Sequence, residues 1–163
     1  MAIKEGLLAE YDHEIATTRK LLERLPDGRL SWKPHDKSMS MGGLATHLAN
    51  LPVWTDTILN RLSFDMVDMP PRAQELTTTA EIVSTFDATA ARARAWMDRT
   101  DAEYNAPWTL KRDDQVMFTI PRIAAFRSWV IGHLVHHRGQ LSVYLRLNDL
   151  PVPAIYGPSA DEG

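Results

Sequence analysis

The sequence predicts an all-α fold, a four-helix bundle in a single domain spanning residues 1–163. Three observations carry that prediction. Four stretches repeat apolar residues in steps of three and four, the spacing of one helix face. Proline and glycine mark the breaks between them. At 163 residues and 44% apolar, the chain can bury one hydrophobic core without disulfides.

In the first stretch, Leu8, Tyr11, Ile15, Thr18, Leu22 and Leu25 share a face, which predicts a helix over 4–25 that Pro26-Asp27-Gly28 stops. In the second, Met41, Leu44, Leu48, Leu51, Thr55, Ile58 and Leu62 predict a helix over 39–62, with Ser38 or Ser40 available as N-cap. Pro52 falls inside it. Lacking an N–H, it frees the Leu48 carbonyl and predicts a kink one turn after His47. The third helix, 79–99, opens on Thr78-Thr79-Ala80-Glu81, a capping box, and carries Ile82, Phe86, Ala90, Ala93 and Met97. The fourth, 120–147, opens on Thr119-Ile120-Pro121, where an early proline costs little. Phe126, Val130, His133, His137, Leu141 and Tyr144 form its stripe, and Asn148 ends it. Between the third and fourth helices, residues 108–111 and 115–119 alternate as a short β-hairpin turning at Arg112, Asp113 and Asp114. Residues 63–77 and 150–163 read as loops.

Composition removes several classes of function. Lys and Arg number 18 against 21 Asp and Glu, a net charge of −3, so no basic nucleic-acid-binding surface is expected. There is no cysteine, hence no disulfide framework, no Cys-based zinc site and no cysteine nucleophile. The run from Ser38 to Thr55 lacks charge but holds His47, Asn50, Pro52 and two glycines, which makes a poor membrane span. The N-terminus meets Lys4, Glu5 and Glu10 before any apolar stretch of signal-peptide length. A cytoplasmic protein is the expectation.

The chemistry concentrates in histidines. His133 and His137 lie four apart on the apolar face of the fourth helix, so their rings project about one turn apart. His47 shares its side of the second helix with Leu44, Leu51 and Trp54. Two bundled helices can turn all three rings into one interior space. A neutral imidazole is a good ligand for zinc, nickel, copper or iron, and three of them leave a coordination position for water or substrate. Taken singly, each histidine also fits a hydrogen-bonded core or rim residue; convergence of three is what favours a metal. His136 lies near the same face, but an offset of four aligns rings better than one of three, so His137 ranks above it. His13 and His35 read as solvated surface. Arg138 and Gln140 point differently around the helix, Arg138 as a surface or helix-end ion-pairing group. Trp54, Trp96 and Trp129 read as core packing, with some of that aromatic surface free to line a pocket. No serine nucleophile elbow, Gly-rich phosphate loop or paired carboxylate on an apolar face occurs, and no catalytic residue is assigned.

The run His133-Leu-Val-His-His-Arg-Gly-Gln-Leu141 resembles the hallmark of the DinB-like superfamily, also called the YfiT-like metal-dependent hydrolases. Ser40-Met-Gly-Gly-Leu-Ala-Thr-His47 is similar to its first histidine motif, and Pro151 to Glu162 to its C-terminal stretch. The resemblance implies an up-down-down-up helix order and a divalent metal ion, nickel or zinc, bound by His47, His133 and His137. It also implies a homodimer. Some relatives are thiol-dependent, namely bacillithiol S-transferases and mycothiol-dependent maleylpyruvate isomerase, so a low-molecular-weight thiol enters as co-substrate. The expected function is a metal-dependent hydrolase or thiol S-transferase acting on a small molecule, with neither nucleic acid nor membrane as partner. The rival is a non-catalytic metal- or ligand-binding stress-response module. A substrate-sized cavity at the metal favours the enzyme; a site filled by side chains favours the module.

Overall fold

The computed structural model describes residues 2–162. Helix α1 (Ile3–Leu22) is followed by α2 (Met41–Asn50) and α3 (Trp54–Leu59). Strand β1 (Ser63–Asp65) precedes the long connection to α4 (Thr79–Ala95), and α5 (Asp101–Asn105) leads into β2 (Pro107–Arg112) and β3 (Gln115–Pro121). Helix α6 (Arg122–Phe126) runs through a π-helical turn (Arg127–Gly132) into α7 (His133–Leu147).

The all-α expectation is overturned. About 58% of the chain is helical, and the three strands form a mixed sheet in the order β1-β2-β3, so the fold is not an all-α four-helix bundle. The hairpin that alternation predicts is present as antiparallel β2 and β3, with Trp108 opposite Ile120 and a bulge between Leu110 and Lys111. It turns on Asp113 and Asp114, whose φ angles of 51° and 61° are the left-handed pair that a two-residue hairpin needs. The third strand lies in the stretch that reads as a loop. Phe64 pairs beside Leu110 in parallel register. Three residues are too few to show an alternating pattern, so the free edge of β2, not the local sequence, selects this strand.

Helix boundaries move for identifiable reasons. Ser40, rather than Ser38, caps α2, its Oγ accepting from the Gly43 amide at 2.9 Å. Pro52 breaks the expected 39–62 helix. The Leu51 amide reaches both the His47 and Leu48 carbonyls, satisfying the group that Pro52 cannot, and the chain tightens into a 3₁₀ turn over Leu51–Val53 before α3. Helix α4 stops before Trp96, and a separate capping box between Thr100 and Glu103 starts α5. The last helical run begins at Arg122 because Ile120 and Pro121 complete β3.

Helix α4 packs against α1 and α2, and α7 packs against the same pair. They enclose Leu21, Leu22, Leu44, Leu48, Phe86 and Leu141. A second cluster joins the sheet to the helices through Tyr11, Phe64, Trp108, Phe126 and Val130. Removing such a side chain from water stabilises the fold by roughly 1.5–3 kcal/mol. Among the described residues, one buried side-chain polar atom, Thr55 Oγ1, lacks a partner, and the large buried polar groups are answered. Tyr11 Oη donates to the Ala90 carbonyl at 3.0 Å, and the Trp108 indole donates to the Thr57 carbonyl at 3.0 Å, fastening the sheet to α3. Among the described residues, no helix is long and apolar enough to cross a membrane.

Candidate metal centre

His47 sits in the last turn of α2, immediately before the proline-driven 3₁₀ turn. His133 is the first residue of α7, directly after the π-helical turn, and His137 follows one turn later. The three rings converge. Their centroids lie 5.1 Å (His47 to His133), 4.6 Å (His47 to His137) and 4.7 Å (His133 to His137) apart. One ring nitrogen from each falls within 4.8 Å of the others. His47 Nε2 and His133 Nε2 face one another at 3.4 Å. Two nitrogens bound about 2.0–2.1 Å from one tetrahedral zinc stand roughly 3.3–3.4 Å apart, so the donor set fits a single divalent ion.

The site also keeps its imidazoles neutral, as ligation requires. Burial pushes the His47 pKa down to about 4, helped by His137, His133 and the Arg72 guanidinium. Burial likewise lowers His133, with His137 and His136 adding to it and the Trp129 carbonyl opposing. His137 is lowered by burial against the opposing pull of Gln140. That opposing bond orients the ring. His137 Nδ1 meets Gln140 Oε1 at 2.7 Å; with the proton on Nδ1 donated to that oxygen, Nε2 is left as the free lone pair.

A cavity of about 340 Å³ opens beside His47, walled mainly by Leu51, Val53, Trp54, Phe64, Met69 and Pro71, with Asn50 and Thr57 as polar points. An adjoining space of about 350 Å³ shares His47, Asn50 and Trp54 and adds Arg72 and Glu75. Volumes of this order suit small organic molecules. The segment 69–76 forms the far wall and is pinned to α2 where the Leu76 amide donates to Thr46 Oγ1 at 3.0 Å.

A sequence model of the DinB family matches residues 2–163. The chain belongs to the DinB family. It is 26% identical to the uncharacterized protein YrdA of Bacillus subtilis (strain 168) over 159 residues, 97% of this chain and 90% of YrdA. A DinB-like crystal structure from Bacillus cereus ATCC 10987 superposes with a TM-score of 0.74 at 23% identity, covering 95% of this chain and 98% of that one. The DinB-like protein YjoA of Bacillus subtilis gives 0.68 at 18% identity over 90% and 96%. These two likenesses establish a shared fold.

Within this DinB-family chain, the three histidines singled out from sequence come together, and His136 does not join them. It is exposed, its ring 4.8 Å from that of His137 but outside the converging set. His13 and His35 are exposed as well. Arg138 is the misplaced residue. It is 1% exposed, and its guanidinium meets Glu14 Oε2 at 2.6 Å inside the protein. Two participants were missed. Gln140 carries a faint signal, the three-residue offset from His137 that puts both on neighbouring turns. Arg72 and the wall around it carry none, because a loop's path is set by tertiary contacts.

Proposed function

We propose that His47, His133 and His137 hold one divalent metal ion, zinc or nickel, and that the protein is a metal-dependent enzyme acting on a small molecule in the adjoining cavity. The observation that carries the reading is the convergence of three neutral imidazoles, one nitrogen each within 4.8 Å, at the edge of a space of about 340 Å³. When bound, the ion supplies Lewis acidity toward a water, a thiol or a substrate oxygen. The chain's own residues do the rest. Gln140 fixes the His137 tautomer, Trp54 and Phe64 exclude water along one wall, and Asn50 and Thr57 offer polar contacts to a ligand. With no cysteine in the chain, any thiol must arrive as a co-substrate. Hydrolysis and thiol transfer both suit this arrangement.

The cavity favours this reading over a non-catalytic module, whose metal site would be filled by side chains. Elemental analysis of the purified protein, followed by thiol-plus-electrophile and ester-hydrolysis screens with and without added zinc or nickel, tests it. Stoichiometric metal and metal-dependent turnover support the proposal. A metal-bound protein inert in every screen favours the module, and a protein that takes up no metal removes both.

A further inference from the structure

The ionised groups that line the two spaces are unequal. Among the described residues, Arg72 and Glu75 are the Arg, Lys, Asp and Glu side chains that line them. Glu75 is already engaged. Its Oε2 accepts from the Ser40 hydroxyl at 2.7 Å, over the first turn of α2, where the helix dipole favours a carboxylate. Its other oxygen lies so close to Gly43 that a Cβ at that position would come within 2.6 Å of it, so the glycine makes room for the carboxylate.

Arg72 has no such partner. Among the described residues no carboxylate oxygen lies within 4 Å of its guanidinium, and its side-chain contact is with the Met39 sulfur, a weak acceptor. It lines the same space as His47. A guanidinium beside low-dielectric walls is a strong selector of anions, because it offers several donors in a fixed fork. The net charge of −3 does not draw anions from a distance, so the selection must be local.

We propose that this cavity takes a small organic anion with an apolar body, its acid group lying between the histidine cluster and Arg72 and its body against Trp54 and Phe64. The inference rests on the proposed use of the cavity as a substrate site and adds the chemical class of the substrate. Arg72 sets the preference for an acid; the aromatic wall sets the preference for an apolar body. A cation would meet the guanidinium, and a neutral apolar molecule would leave it unpaired.

The test is calorimetric titration of the full chain with 3-phenylpropionate and with its neutral amide, 3-phenylpropionamide, each against zinc-loaded and metal-free protein. The carboxylate should bind about tenfold more tightly than the amide in both forms, the size expected of one charge-assisted hydrogen bond. Arg72→Gln, in an exposed segment, should remove most of that preference while leaving amide affinity and zinc affinity unchanged. Trp54→Leu should weaken both probes alike. Equal affinity for the two probes, a preference that survives Arg72→Gln, or no binding of either at millimolar concentration overturns the proposal. A protein that refuses zinc yet keeps the Arg72-dependent preference sinks the metal reading and leaves this one standing. One that binds zinc without the preference does the reverse.

Discussion

Removing the carboxylate of Glu14 should cost more stability than any surface charge in the protein. Arg138, on α7, is 1% exposed and Glu14, on α1, 7%, with the guanidinium and carboxylate 2.6 Å apart. Breaking such a buried pair from one side leaves a charge without its counter-charge, at a cost of about 3–5 kcal/mol. The remaining partners of Arg138 are the Glu14 carbonyl at 3.2 Å, Thr18 Oγ1 at 3.3 Å and the Tyr156 hydroxyl. They place Glu14→Gln near the lower end, about 3 kcal/mol. For a chain of this length roughly 2–4 °C accompanies each kcal/mol, so the melting temperature should fall by about 6–12 °C. Arg138→Met should fall comparably, because it strands the carboxylate with only Tyr156. The double variant Glu14→Leu/Arg138→Met should regain at least half of the loss, since a buried pair replaced on both sides leaves no orphan charge. Thermal unfolding followed by circular dichroism, with urea titration as a check, measures all three. Single variants within about 1 kcal/mol of the parent would refute the reasoning, because that is the size of a solvent-exposed pair.

Gln140→Leu should lower zinc affinity about 10–100-fold by releasing the His137 ring, read by chelator competition; parent-like affinity would show that the 2.7 Å contact does not orient the ligand. The capping carboxylates should leave a signature in acid. Glu81 is held below its ordinary value of 4.5 by the backbone and hydroxyl of Thr77 and those of Thr78, so its contribution is complete above that pH and lost as pH falls through the lower folded value. The stability deficit of Glu81→Gln against the parent, present at neutral pH, should therefore vanish in acid, and a pH-independent deficit would contradict the sign. We also propose, from the family resemblance, that the protein is a homodimer: light scattering should return twice 18.4 kDa. A parent that scatters as a monomer at micromolar concentration rejects this.

Much of the helical framework was legible because burial and spacing agree. Leu44, Leu48, Phe86 and Leu141 fall where the three-and-four rhythm puts them, and the Thr78–Glu81 box starts α4 as its residues demand. The hairpin was legible from alternation and its two aspartates. The sheet was not, since β1 exists only because Phe64 finds the edge of β2. The break at Pro52 was legible as a kink, but its depth was not, because the Leu51 amide answers the Leu48 carbonyl and a 3₁₀ turn separates α2 from α3. Within the candidate site, helical spacing brought out His133 and His137, and the apolar neighbours of His47 brought out the third ring. Arg138 misled because a charged residue in a polar run reads as solvated, and only the approach of α1 supplies the Glu14 that lets it stay buried. Arg72 stayed hidden for the same kind of reason: its role depends on where the 69–76 segment folds back over α2.

The central claim is the three-histidine metal centre, and competitive zinc titration of the parent, His47→Ala, His133→Ala, His137→Ala and His136→Ala proteins tests it most directly. The account predicts one equivalent of zinc for the parent. It predicts a loss at each of the three converging histidines larger than the roughly 10–100-fold that removal of an outer partner costs, with His136→Ala close to the parent. Parent-like binding by His47→Ala, His133→Ala and His137→Ala, or a loss confined to His136→Ala, would contradict it.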